Sequence, residues 1–154
     1  MNRLNPDMPV FADIQQYVVD AGKAAGDGSN VGSVLYTRGM YAAMLAAEAI
    51  ANAQEIHGVA AITPEMMRDG MEALSVDAAT MEGWGAPGVG PEFSVTCSDH
   101  GGSGMGIIQQ WNASEGRFVA LTDYIARDSS VIDPLIAEDS AAYAAENGIE
   151  PGCQ

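Results

Sequence analysis

The sequence predicts an α/β domain in which helices come first, a short β-hairpin follows and a helix closes the chain. Three observations predict it. Apolar residues recur at three- and four-residue steps in 9–25 and again from 40 to 51. Extended runs rich in β-branched and aromatic residues flank an NASEG turn at 106–112 and 117–124. An Ala-rich stretch at 128–148 carries helix start and stop signals. With 154 residues the chain is long enough to bury one core, so a single body is the default.

Residues 9–25 (PVFADIQQYVVDAGKAA) set Val10, Ile14, Tyr17, Val18 and Ala21 on one side of a helix closed by glycines. GDGSNVG is a turn-rich connector, and VGSVLYT (31–37) reads as a short buried strand because its β-branched and aromatic residues lie between glycines. Strong helix formers then run from Tyr41 to about Gln54, with apolar positions at 40, 44, 47, 50 and 51. In ITPEMMRDGMEAL, Thr63 reads as an N-cap, Pro64 as the first helical residue and Glu65 as an anion where the helix macrodipole favours one. The segment 76–92 is dense in Gly and Pro and predicts a loop. FSVTCS (93–98), GIIQQWN and RFVALTDY are extended, and the last two form the predicted hairpin. In the closing segment Ser and Asp precede the Ala-rich helix, and Asn147 and Gly148 end it.

Six Lys and Arg against 21 Asp and Glu give a formal charge of −15, whose field repels phosphate backbones and anionic membranes. Nucleic acid is therefore an unsuitable partner. No run reaches the ~18 apolar residues that cross a bilayer. The start, MNRLNPDMPVFADI, lacks an apolar stretch after a basic one, so no signal peptide is expected in this chain as written. Cys97 and Cys153 allow one bridge or none, and composition leaves both open.

The loop CSDHGGSGMG offers Cys97, Asp99 and His100 as zinc ligands or as a small hydrolase site. A zinc site needs three or four ligands in spaced groups, and the other histidine, His57, has no ligand beside it. Phosphate-binding and nucleophile-elbow glycine patterns are absent, because position 105 is Met and the chain continues into a strand. A plain connection between strands is the favoured account. The carboxylate pairs Glu65 with Asp69, Glu138 with Asp139 and Asp128 with Asp133 read as solvated faces and caps, and the Met residues at 40, 44, 66, 67 and 71 as core filler. No cofactor is implied.

The remaining candidate is Tyr36, Thr37 and Arg38. A strand ending there and feeding a helix would aim backbone N–H groups at a ligand beyond the strand's carboxyl end. Tyr36 would pack on an apolar solute group and Arg38 would pair a carboxylate. The alternatives are a core Tyr36 and an Arg38 bridged to a nearby Asp.

Four co-linear runs carry a wider likeness. VGSVLYTRGMYAAMLAAEAIANAQEIHG, ITPEMMRDGMEAL, FSVTCSDHGGSGMGIIQQW and PLIAEDSAAYAAENGI together resemble the C-terminal part of substrate-binding proteins of the branched-chain amino acid (Leu/Ile/Val) ABC uptake type. The resemblance implies two Rossmann-like lobes of a type I periplasmic binding protein that close on a solute, with no enzymatic activity. By that analogy 1–92 is part of the N-terminal lobe, 93–124 holds crossover strands and the hairpin toward the second lobe, and 125–154 is the C-terminal helix and tail. It implies as partners a small amino acid, amide or carboxylate solute and the membrane subunits of an ABC permease, and a periplasmic location. It puts Tyr36 on the aromatic wall of the cleft, while the carboxylate and ammonium clamps of the family have no counterpart here. The chain is thus expected to be a C-terminal fragment that binds solute weakly or not at all on its own. Export would also favour a bridge between Cys97 and Cys153.

Overall fold

Ser33 decides where the longest helix begins. A computed structural model describes residues 7–149 and residue 153 of the chain. In it the Ser33 hydroxyl accepts a hydrogen bond from the Tyr36 N–H, and α2 runs from Val34 to His57. The strand expected at 31–37 is therefore the cap and first turn of a helix. An N-cap serine satisfies a backbone donor that a lone strand would leave open, and this outweighs the β-propensity of Val34.

Before it, α1 (Pro9–Ile14) passes into a π-helical turn, Gln15–Val19, in which the Asp20 N–H reaches Gln15 O at 2.8 Å. The helix expected over 9–25 thus ends early, with Gly22 at φ 68° beyond it. The wider turn rotates the predicted stripe: Val18 and Val19 are half-buried, whereas Tyr17 and Ala21 face solvent.

After α2 come α3 (Pro64–Glu72), β1 (Ser75–Val76), α4 (Ala78–Gly83) and β2 (Phe93–Ser94). The start of α3 is as expected, with Thr63 Oγ1 accepting from the Met66 N–H at 3.3 Å and Pro64 in the first turn. The stretch expected as a loop at 76–92 instead opens with a strand and a short helix. Asp77 Oδ1 takes the Thr80 N–H and hydroxyl, each at 2.8 Å, and the Gly and Pro residues gather only from Gly83 onward.

Then come β3 (Met105–Gly106), β4 (Gln109–Asn112), β5 (Arg117–Ala120), β6 (Ile125–Ala126) and α5 (Ser129–Asn147). The predicted hairpin is β4 with β5, in register Gln109 to Ala120 through Asn112 to Arg117, and Trp111 packs edge-on to Phe118 at 5.3 Å between ring centres. Asn112 Oδ1 closes the NASEG turn by accepting from Ser114 and Glu115 N–H groups, and Gly116 supplies the positive φ. The outer pair, β3 with β6, lengthens this ribbon. Of the run 93–98 only Phe93–Ser94 is strand, paired with β1. All strand pairs among the described residues are antiparallel and two-stranded, which neither displays nor excludes a Rossmann-like lobe.

The core lies where α1, α2, β1 and α4 meet, around Met8, Val10, Tyr41, Val76, Met81 and Val89. Tyr41 meets Trp84 edge-to-face at 6.3 Å. On α2 the fully buried residues are Thr37, Tyr41, Ala49 and Ala53, one turn apart in each half of the helix; of the expected positions, Met40 and Met44 pack against the core from its edge, whereas 47, 50 and 51 are exposed. Because α2 is apolar on several sides, periodicity alone does not choose a face. Small residues let α3 come close: a β-carbon on Gly70 would overlap the Ala49 carbonyl oxygen and crowd Ala53. Asn52 then donates to the Gly70 and Ala73 carbonyls.

Helix α5 follows its predicted boundaries, with Asp128 as N-cap and Gly148 left-handed at the C-cap. None of its residues is buried. The expected tail at 125–154 lies outside the described residues at 150–152 and 154. Cys153 is bonded to Cys97, with 5.5 Å between their Cα atoms.

Candidate functional site

Tyr36, Thr37 and Arg38 occupy the first turn of α2 and, at about 100° per residue, point three ways. Tyr36 is half-buried on an open apolar groove with Val10, Ile14, Leu35, Met40 and Met44. Thr37 is 1% exposed in the interior. Arg38 is exposed and makes no ion pair among the described residues. The nearby backbone N–H groups are already used, Tyr36 by the Ser33 hydroxyl and Thr37 by the Ser33 carbonyl at 2.8 Å. The three residues thus do not converge on one ligand, and the expected strand end with free N–H groups is absent because the cap consumes them.

The glycine loop is similarly dispersed. Cys97 is in the bridge, so it offers no thiol. Asp99 Oδ1 accepts from the Gly101 N–H at 2.8 Å, and the exposed His100 lies 3.4 Å from Glu72. Among the described residues no three His, Cys, Asp or Glu side chains gather as a metal would require. The hydrolase reading of Cys97, Asp99 and His100 has no assembled nucleophile and base.

Side chains do converge one turn further along α2, at Tyr41. A cavity of about 480 Å³ lies between α2, the Gly90–Pro91 segment and the strands β3 and β4, with Tyr41, Gln109 and Tyr124 as its polar lining. Tyr41 is 5% exposed, and its hydroxyl, like Gln109 Nε2, is buried without a hydrogen-bond partner among the described residues. Such groups are uncommon in folded chains, because an unpaired buried donor forfeits its hydration. Burial pushes the Tyr41 phenol above its ordinary value, with Tyr124 adding to the effect, and burial raises Tyr124 as well. Both therefore remain protonated donors at neutral pH. Gly90 packs closely here, since a β-carbon there would stand 3.2 Å from the Tyr41 hydroxyl.

No family model matches the chain, and no curated protein matches it. The chain is similar to a solved structure described as an ABC transporter permease from the Pseudomonas fluorescens group. Identity is 33% and the TM-score 0.86, over 97% of this chain and 36% of that one. This chain thus spans about a third of that protein's length. The likeness overturns the resemblance to a branched-chain amino acid binding protein, since the similar structure is described as a permease. The expectations of a substrate-binding role, a branched-chain solute and a periplasmic address rested on that resemblance and lose their ground with it.

Proposed function

We propose that this chain is part of an ABC transporter component, serving transport rather than catalysis, and that its exposed apolar faces are covered by further transporter polypeptide. One observation carries the reading: 33% identity and a TM-score of 0.86 to a structure described as an ABC transporter permease, across 97% of this chain. That match leaves the larger part of the other chain without a counterpart here. The exposed surface agrees. Val131, Leu135, Ile136 and Tyr143 stand in solvent on α5, a helix apolar on several sides, and helices of that kind are normally enclosed. The groove beside Tyr36 is a second open apolar face. No helix among the described residues is long and apolar enough to cross a membrane.

The bridge between Cys97 and Cys153 favours an oxidising compartment for this part of the transporter. The test is affinity purification of the tagged chain from detergent-solubilised membranes of the cells that make it. An ATPase carrying the GxxxxGK[ST] phosphate loop should co-purify and should be lost at the same step as the chain. Recovery of the chain with no such ATPase contradicts the proposal.

A further inference from the structure

The glycine loop anchors α5 at both of its ends. Among the described residues every member of Ser129–Asn147 is exposed except Ala144, which is only half-buried. The ion pair of Asp133 with Arg127, at 3.0 Å, ties the helix to its own approach, and its other side-chain hydrogen bonds are local. At that end the Arg127 N–H donates to the Gly104 carbonyl at 3.0 Å, in the glycine loop. Beyond the other end the chain is fixed by the bridge from Cys153 to Cys97, at the start of the same loop.

Little in its own sequence lets α5 stand alone. Its alanines favour a helix, but Pro134 inside it removes a backbone hydrogen bond, and Val131, Ile132 and Ile136 are β-branched. Asp133, Glu138, Asp139 and Glu146 are its charged residues, so no pair of opposite charges spans a turn and no cation meets the negative end of the macrodipole. A helix of this kind is marginal in water without packing, and α5 buries no side chain.

We propose that the bridge between Cys97 and Cys153 is a redox latch on α5: oxidised, it holds the helix formed, and reduced, it lets 129–147 melt. Both cysteines are exposed, so a dithiol reaches them. One thiolate of the dithiol attacks a sulfur of the bridge, giving a mixed disulfide, and the other cysteine leaves as a thiolate that takes up a proton. The dithiol's second thiolate then displaces the first cysteine, which is protonated in turn. Two electrons and two protons have passed to Cys97 and Cys153, and the dithiol is left as a disulfide. The buried core residues, Met8 to Val89, all precede Cys97 and lie outside the loop that the bridge closes. The stabilisation lost on reduction therefore falls first on α5, and the core persists. Withdrawal of a docking face on reduction rests on the transporter reading above; the melting of α5 does not.

The test is amide hydrogen exchange of the full chain, read by mass spectrometry before and after treatment with dithiothreitol without denaturant. Alkylation should find two free thiols in the treated protein. Exchange across 129–147 should then quicken at least about ten-fold, while that of α2 changes less than about two-fold. Cys97→Ser with Cys153→Ser should match the reduced form; should that variant fail to fold, the treated wild type, folded beforehand with its bridge, gives the reading. Equal protection of α5 in both states, loss of protection from α2 and α5 together, or a bridge that dithiothreitol opens only in denaturant overturns the proposal.

Discussion

His57 Nε2 lies 2.8 Å from Asp69 Oδ2, so the last residue of α2 is tied to the middle of α3 across the turn that joins them. Arg68 holds the other oxygen of the same carboxylate at 3.0 Å. Together, Arg68 foremost and His57 next, they keep the Asp69 carboxyl below its ordinary 3.8. The unfolded chain lacks both partners and titrates near the ordinary value. A depressed folded value contributes stability that is fully present above the unfolded value and is lost as pH falls through the folded one. Thermal melts should therefore show falling stability below about pH 4, and Asp69→Asn should flatten that acid slope. An unchanged slope in the variant would contradict the tie. Asp77 and Asp128, also lowered by their capping bonds, add to the wild-type slope in the same sense.

Gly70 is the contact point of α2 and α3, and Gly70→Ala should destabilise the fold even though alanine is the better helix former. The new methyl group overlaps the Ala49 carbonyl, so the helices must separate. The expected loss is about 1–3 kcal/mol in urea denaturation, against a helix-propensity gain of about 1 kcal/mol already included. A stabilised variant would mean that the two helices are not this close.

Mass spectrometry of unreduced protein should find Cys97 and Cys153 joined, and the double variant Cys97→Ser, Cys153→Ser should lose about 4 kcal/mol. That figure follows from closing a loop with a sequence separation of 56. Two free thiols in protein from its own compartment would remove the support for an oxidising one.

Asp77→Ala removes both bonds to Thr80 and should cost about 1 kcal/mol, read as a lowered denaturation midpoint. The loss passes to the core because Met81, one turn into α4, is buried there. No change would mean that α4 holds without its cap.

How far the sequence was readable depends on whether a signal was local. Thr63-Pro64 and Asp128 with Gly148 are caps, decided by residues within one turn; α3 begins, and α5 begins and ends, where those residues place them. The hairpin was equally legible, because the NASEG turn sets its register. Ser33 was misread because its cap lies inside a run of strand-favouring residues, and only the bond to Tyr36 distinguishes the two. Asp77 was hidden by the glycines and prolines that follow it. On α2 the apolar residues surround the helix, so it is the packing of α4 and Trp84, rather than spacing, that encloses Tyr41 fully and leaves Met40 and Met44 at the edge of the same core. The cavity at Tyr41 had no local signature at all, since it joins residues 41, 90, 109 and 124 through the tertiary fold.

The enclosure of α5 is the claim most open to direct measurement. A photoreactive benzoylphenylalanine placed at the half-exposed Leu135 and irradiated in the cells that make the protein reports what lies against that helix. A crosslink to polypeptide that mass spectrometry identifies as part of an ABC transporter is the predicted result. A side chain that reacts with nothing, or only with a second copy of this chain, would contradict the account.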